Sequence, residues 1–308
     1  METRRGMWYA IGAYVAWGLS PIFWNLFRDL EALELLAHRI IWAVPILAIV
    51  IGVSHRWSEV RDSYRAWRTR WLTVAAAAFV LSNWGFFLWA VTNGRIVEAS
   101  LGYFINPLVS VALGVVVLGE RLRRLQWAAV GIAVIGVIGM TIAVGELPWI
   151  SLILAGSFGT YGLIKKRPET PRPVVSLFGE SAVLAIPASI LALVLARTGS
   201  ASFGQTPGIS VFLLATGLMT VVPLLLFGAA AKRIPLSTIG LLQYIAPTLQ
   251  LLVGVLIYGE TLTGERLAWF VVVWIALALY SFDSYRGLSS KREPATPRKD
   301  RSVGPLRP

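Results

Sequence analysis

Apolar residues come in long runs in this chain, and polar residues in short clusters between them. Ten runs stand out: Gly6–Asn25, Glu34–Val53, Trp71–Thr92, Val97–Val117, Leu125–Ala143, Pro148–Ile164, Val174–Ala196, Ile209–Ala230, Leu236–Ile257 and Leu267–Asp283. Runs of about 20 residues are long enough to cross a ~30 Å hydrocarbon layer as helices. The sixth is the shortest and is interrupted by Gly156, Gly159 and Gly162; glycine is tolerated in membrane helices, where it lets neighbours pack closely. The short basic start Met1–Arg5 leads straight into the first run. A secretory leader would have a shorter apolar core and a small-x-small cleavage site before a polar chain. Nine more spans follow here, so the first run is expected to be a retained helix.

The clusters between the runs alternate in charge. The N-terminus, every second connection and the C-terminal tail hold 23 Lys and Arg, or 16 without the tail; the intervening connections hold 4, and Arg39 lies inside a span. By the positive-inside rule both termini of this multi-pass membrane protein are expected to face the cytoplasm. Composition agrees: 56% of residues are hydrophobic and 14% charged, against roughly 45–50% and 25% in soluble domains. Mean hydropathy is +0.68. The net charge of +12 is spent on the cytoplasmic face, where anionic lipid attracts it, so nucleic acid is not an expected partner. Cysteine is absent, which excludes disulfides, thiolate metal sites and a cysteine nucleophile. The two histidines are separated, and no metal or cofactor is expected. Residues 286–308 are polar, basic and Pro-rich, and read as a disordered cytoplasmic tail.

A shift of 140 residues lays Leu101, Ile105, Pro107, Gly114, Val115, Gly119, Glu120 and Leu122 onto Leu241, Ile245, Pro247, Gly254, Val255, Gly259, Glu260 and Leu262, 8 identities in 22 positions. Trp17-Gly18 echoes Phe158-Gly159. The fourth span thus matches the ninth and the repeating unit is five helices. An odd unit forces the second copy to enter the membrane upside down, as in many secondary transporters whose site lies between inverted repeats near the midplane. The expected fold is an all-α integral membrane protein, with ten transmembrane helices as two inverted five-helix repeats, residues 1–145 and 146–285. Pro107 and Pro247 each remove a backbone donor in mid-span and are expected to kink their helices, either as static packing features or as bends lining a central cavity.

The same residues resemble a known family. Tyr14-Val15-Ala16-Trp17-Gly18, Leu36-Ala37-His38-Arg39, Asn83-Trp84, Leu118-Gly119-Glu120-Arg121, Gln243-Tyr244-Ile245, Tyr258-Gly259-Glu260 and above all the block from Glu98 to Leu108 are similar to the RarD group, in the EamA branch of the drug/metabolite transporter superfamily. The similarity runs from about Arg5 to Asp283. It implies a bacterial inner-membrane permease of ten helices in two inverted repeats, and it supplies no substrate.

Ionisable groups inside spans are costly and are functional candidates by default. Glu180, near the start of the seventh span, is a candidate proton carrier; alternatively it is bonded to a neighbouring helix or reaches the interface. Glu34 and His38 share a helix face, and His38, a side chain that can titrate near neutral pH, is a coupling or gating candidate. Arg39 points elsewhere and could pair with Glu98 as an outer gate or a permanent clamp. Asn83, Asn106 and Gln243 could join helices or meet a substrate, with Tyr103 and Tyr244 beside them. Trp17, Trp84 and Trp89 could wall a cavity for an amphipathic or cationic molecule, whereas Trp8, Trp71, Trp127 and Trp149 fit interface positions. Glu120 and Glu260 are expected to start the helices that follow them, and Asp283 to be solvated. Together these features predict a secondary transporter, with export the expected direction, moving a small organic metabolite or drug by alternating access. No phosphate-binding Gly-rich loop is present to supply ATP drive, and coupling to protons or simple exchange are both open. No cluster of acid–base or metal-binding residues suggests an enzyme. The other reading is a non-transporting membrane scaffold or resistance-associated protein.

Overall fold

The computed structural model describes residues 2–27, 29–93, 96–144, 149–259 and 264–289, without the side chains at 27, 91–92, 96–101, 140, 143–144, 265–266, 270 and 284–289. Of the expected tail, residues 286–289 are described and are helical rather than disordered; residues 290–308, Glu260 and the side chain of Glu98 lie outside the described residues. Among the described residues there is no strand. The helices are α1 (Glu2–Trp24), α2 (Ala32–Ile41), α3 (Ala43–Val53), α4 (Trp57–Ser63), α5 (Trp67–Thr92), α6 (Ile96–Val116), α7 (Arg124–Val144), α8 (Trp149–Lys166), α9 (Pro173–Thr198), α10 (Pro207–Ala231), α11 (Leu236–Leu242), α12 (Ile245–Leu256) and α13 (Gly264–Ser289). Among the described residues five segments are long and apolar enough to cross a membrane: Ala32–Val53, Trp67–Ala90, Pro173–Thr198, Pro207–Ala231 and Leu236–Leu256. Shorter apolar helices cover Gly102–Val116, Arg124–Gly139 and Leu267–Asp283.

Local chemistry explains the boundaries. Pro173 and Pro207 sit in the first turns of α9 and α10, where a missing N–H costs nothing. The Thr206 hydroxyl caps α10 by accepting from the Ile209 N–H at 3.2 Å. Gly199, at φ +79°, ends α9 in the left-handed conformation that glycine adopts without steric cost. The second and ninth runs are each broken. Pro45 cannot donate to Ile41, and the chain turns at Trp42 between α2 and α3. Pro247 cannot donate to Gln243, and the break falls at Gln243–Tyr244, between α11 and α12. Pro107 stands inside the unbroken α6, so the paired prolines act differently. The sixth run is a regular helix, with Gly159 and Gly162 on close contacts and Gly156 on open space: a Cβ on Gly159 would meet Val109 Cγ1 at 2.9 Å. α4 forms within what reads as a polar connection.

α1 packs on α10 and α12, the α2–α3 pair on α9, α5 on α8, α6 on α8 and α11, and α7 on α13. One core cluster draws on α1–α3, α5 and α8–α12, and a second joins α6 and α7 to α13. Large apolar side chains also face outward, Ile142 at 74% and Ile186 at 68% exposure among them. That is a surface suited to lipid rather than water. Trp8, Trp71 and Trp127 stand on it too.

The basic connections gather at one end of the bundle. Arg233 meets Glu2 at 3.0 Å, Tyr64 OH donates to the Val175 carbonyl at 3.1 Å, and Arg123 meets Asp283 at 2.9 Å. Asp283 is therefore paired rather than solvated. Glu120 does not cap the helix after it. Its carboxylate accepts from the backbone N–H groups of Leu236 (2.6 Å) and Ser237 (3.0 Å) and from the Ser237 hydroxyl (2.7 Å), closing the N-terminus of α11, where a negative charge is favoured. Lys232, just beyond α10, donates to the Arg167 and Thr170 carbonyls at 2.5 and 2.8 Å. Partial burial, helped by Lys165 and Lys166 and opposed by Glu169, pushes its amine down to about 8.

Candidate functional site: a cavity between α2, α5, α8, α9 and α10

A narrow cavity lies at the meeting of α2, α3, α5, α8, α9 and α10, with an apolar floor that includes Val80, Leu184 and Leu224. Its polar edge is formed by Trp84, Tyr161, Glu180, Ser181 and Thr220. Glu180 lines it directly, and Arg39 stands behind the opposite wall against Trp84 and Thr220.

On one wall Arg39, half-buried on α2, donates its Nε–H to Thr220 Oγ1 at 3.0 Å and lays its guanidinium over the Trp84 ring, 4.0 Å from the centroid. Trp24 of α1 is 5.8 Å away, and Tyr103 of α6 lies within electrostatic range. The expected partner Glu98 lies outside the described side chains. Among the described residues no carboxylate pairs with Arg39. The ring expected to hold a cationic ligand is already covered by the protein's own cation.

On the opposite wall Glu180 is 1% exposed and Lys165 2%. Lys165 Nζ contacts Glu180 Oε1 at 2.5 Å. The Ser176 hydroxyl donates to the same oxygen at 2.6 Å and accepts from Lys165 at 2.9 Å; Tyr161 OH donates to Oε2 at 3.1 Å. Glu180 thus stands as a buried ion pair bonded to the neighbouring helix. Lys165 reads in the sequence as one basic residue of a polar connection; α8 continues past that point and folds it inward.

Glu34, His38 and Trp42 rise along one face of the second span. Glu34 Oε1 accepts from the Ser202 and Phe203 N–H groups at 2.7 and 2.9 Å, His38 accepts from Trp42 Nε1 at 3.0 Å, and the Phe203 ring stacks on His38 at 4.9 Å. These contacts fasten the connection between α9 and α10, away from the cavity.

The other expected residues divide. Trp17 stays central, in ring contact with Phe158 and Phe227 at 5.7 and 6.0 Å. Trp89 is 41% exposed and meets Trp149 at 5.6 Å, so it walls no cavity. Asn83 donates to the Leu154 carbonyl at 2.8 Å and Ser157 Oγ at 3.2 Å, joining α5 to α8. Tyr244 is buried and donates to the Phe104 carbonyl at 3.0 Å. Gln243 is buried at the break before α12. Asn106 is buried with its Oδ1 unpartnered among the described residues, three positions from Tyr103. Lys165, Tyr161 and Thr220 were not singled out from sequence. The i,i+4 spacing of Ser176 and Glu180 was the available signal for the cluster.

Residues 4–142 match the EamA-like transporter family. Protein RarD of Streptomyces exfoliatus is 48% identical over 92% of this chain and 90% of its own length. An uncharacterised transporter of Pseudomonas aeruginosa is 41% identical over 95% and 98%. A solved crystal structure superimposes with a TM-score of 0.71 over 91% of this chain and 99% of the other at 18% identity, which speaks to the fold.

Proposed function

The chain belongs to the RarD group of EamA-like transporters, and from that premise we propose that it is a secondary transporter, carrying a small organic molecule along a path between Arg39 and the Lys165–Glu180 pair. A membrane transporter is what the family establishes; the substrate, export and the mechanism are the proposal. The chain crosses the inner membrane ten times, as two inverted five-helix repeats, with both termini in the cytoplasm. The cavity opens to one side and then the other as the repeats rock.

The observation that carries this reading is that equivalent positions of the two halves meet. Phe104 and Tyr244, 140 residues apart, are bonded, and Trp17 contacts Phe158. Gly18 sits against Leu249, while its counterpart Gly159 sits against Val109, the counterpart of Leu249. α6 and α11 begin 140 residues apart, and Gly119 and Gly259 share φ +67°. Contacts that exchange under the repeat are what a two-fold axis through the bundle would produce. The basic connections gathered at one end support a cytoplasmic face there.

Glu180 is the coupling residue of this reading. A proton on its carboxylate would cancel the pair with Lys165 and loosen α8 from α9. Purified protein in proteoliposomes should give saturable flux of some member of a broad metabolite and drug panel, altered by a pH gradient and lost in E180Q. Flux at the level of empty vesicles for every solute, under either gradient, would refute it.

A further inference from the structure

We infer that the solute carries an anionic group, most simply a carboxylate, which docks on the guanidinium of Arg39 beside Trp84. The inference rests on the transport reading and deepens it.

Arg39 lies seven residues into the second span, roughly 10 Å along a helix rising 1.5 Å per residue. A charge at such depth normally finds a partner. Among the described residues the two buried carboxylates, Glu34 and Glu180, are both engaged: Glu34 Oε1 by the Ser202 and Phe203 amides, Glu180 by Lys165, Ser176 and Tyr161. A guanidinium has five N–H donors in a planar fork. Here one, on Nε, goes to Thr220. Among the described residues no acceptor takes the four on the two terminal nitrogens. The Trp84 face holds the plane in place, so the fork is pre-oriented, which favours a bidentate carboxylate over a point charge. Trp84 and Thr220, which hold Arg39, also line the cavity. An anion on the fork would therefore stand at the edge of that apolar cavity.

The test uses the full chain in phosphatidylcholine nanodiscs, with binding followed by quenching of tryptophan fluorescence. The probes are matched triplets on phenyl, indolyl and branched-alkyl bodies: phenylacetate, phenylacetamide and phenethylamine, and their analogues. Saturable binding confined to carboxylates is expected, weakened at least tenfold in R39Q and only partly restored in R39K. Amides binding as well as acids, amines binding better, no acid binding at all, or R39Q matching the parent would each overturn the inference. So would loss of acid binding on adding phosphatidylglycerol, since the site would then belong to lipid. The triplet comparison needs no variant and decides the matter if R39Q does not fold. Flux of an amine or neutral solute indifferent to Arg39 would sink the anion site and leave transport standing. Arg39-dependent acid binding without flux of any solute would do the reverse.

Discussion

Breaking the Lys165–Glu180 pair from one side should cost more than removing both charges. At 2.5 Å and an effective dielectric of about 20, the attraction is about 7 kcal/mol. Taking both ions out of water costs several kcal/mol each, and the side chains are only 3% and 2% exposed. The pair as a whole therefore comes close to break-even. K165M alone leaves Glu180 charged among Ser176, Tyr161 and apolar neighbours, and E180L alone strands Lys165; each is expected to cost about 3–5 kcal/mol. K165M/E180L should fall within about 1–2 kcal/mol of the parent. In detergent, thermal aggregation followed by size-exclusion chromatography should show each single variant lower by on the order of 10 °C, with the double variant recovering most of the loss. Strictly additive losses, or single variants within a degree of the parent, would refute the assignment of a mutually neutralising buried pair.

Two further expectations follow from close geometry. Gly240→Ala would place a Cβ 2.7 Å from the Pro107 carbonyl oxygen and 2.8 Å from Ser110 Cβ; backbone cannot step aside cheaply, so this should cost about 1–3 kcal/mol, read as lowered thermal stability. The Lys232 amine, held near 8, should react with a reductive-methylation reagent at half-maximal rate near pH 8, whereas an ordinary lysine needs about 10.4; a midpoint above 10 would contradict its placement. Because its folded value lies below the unfolded one, stability should be flat below about pH 8 and rise towards pH 10 as the unfolded chain holds the extra proton.

The run-and-cluster pattern anticipated the helices and their order, because a lipid-facing helix has to be apolar along its length. It also anticipated that basic connections would share an end. It did not foresee the breaks at Trp42 and Gln243, since a mid-span proline reads alike whether its helix continues, as α6 does through Pro107, or parts, as before Pro247. Side-chain partners were the least legible. Glu180 stood out as a charge in a span, but Lys165 looked like loop because helix α8 runs two residues past the apolar run. Arg39 was noticed; its hold on Trp84 and Thr220, 45 and 181 positions away, is a product of packing. Glu120 was read against the next helix in sequence and serves one over 110 residues on, which only the folded chain brings near.

The chain has no cysteine, so a single S181C introduces one unique thiol beside Glu180 on the cavity wall. Vesicles of each orientation can then be treated with a small membrane-impermeant thiol reagent from outside. An alternately opening cavity predicts modification of the same residue from both faces of the membrane; modification from neither face, or from one face alone, would contradict it.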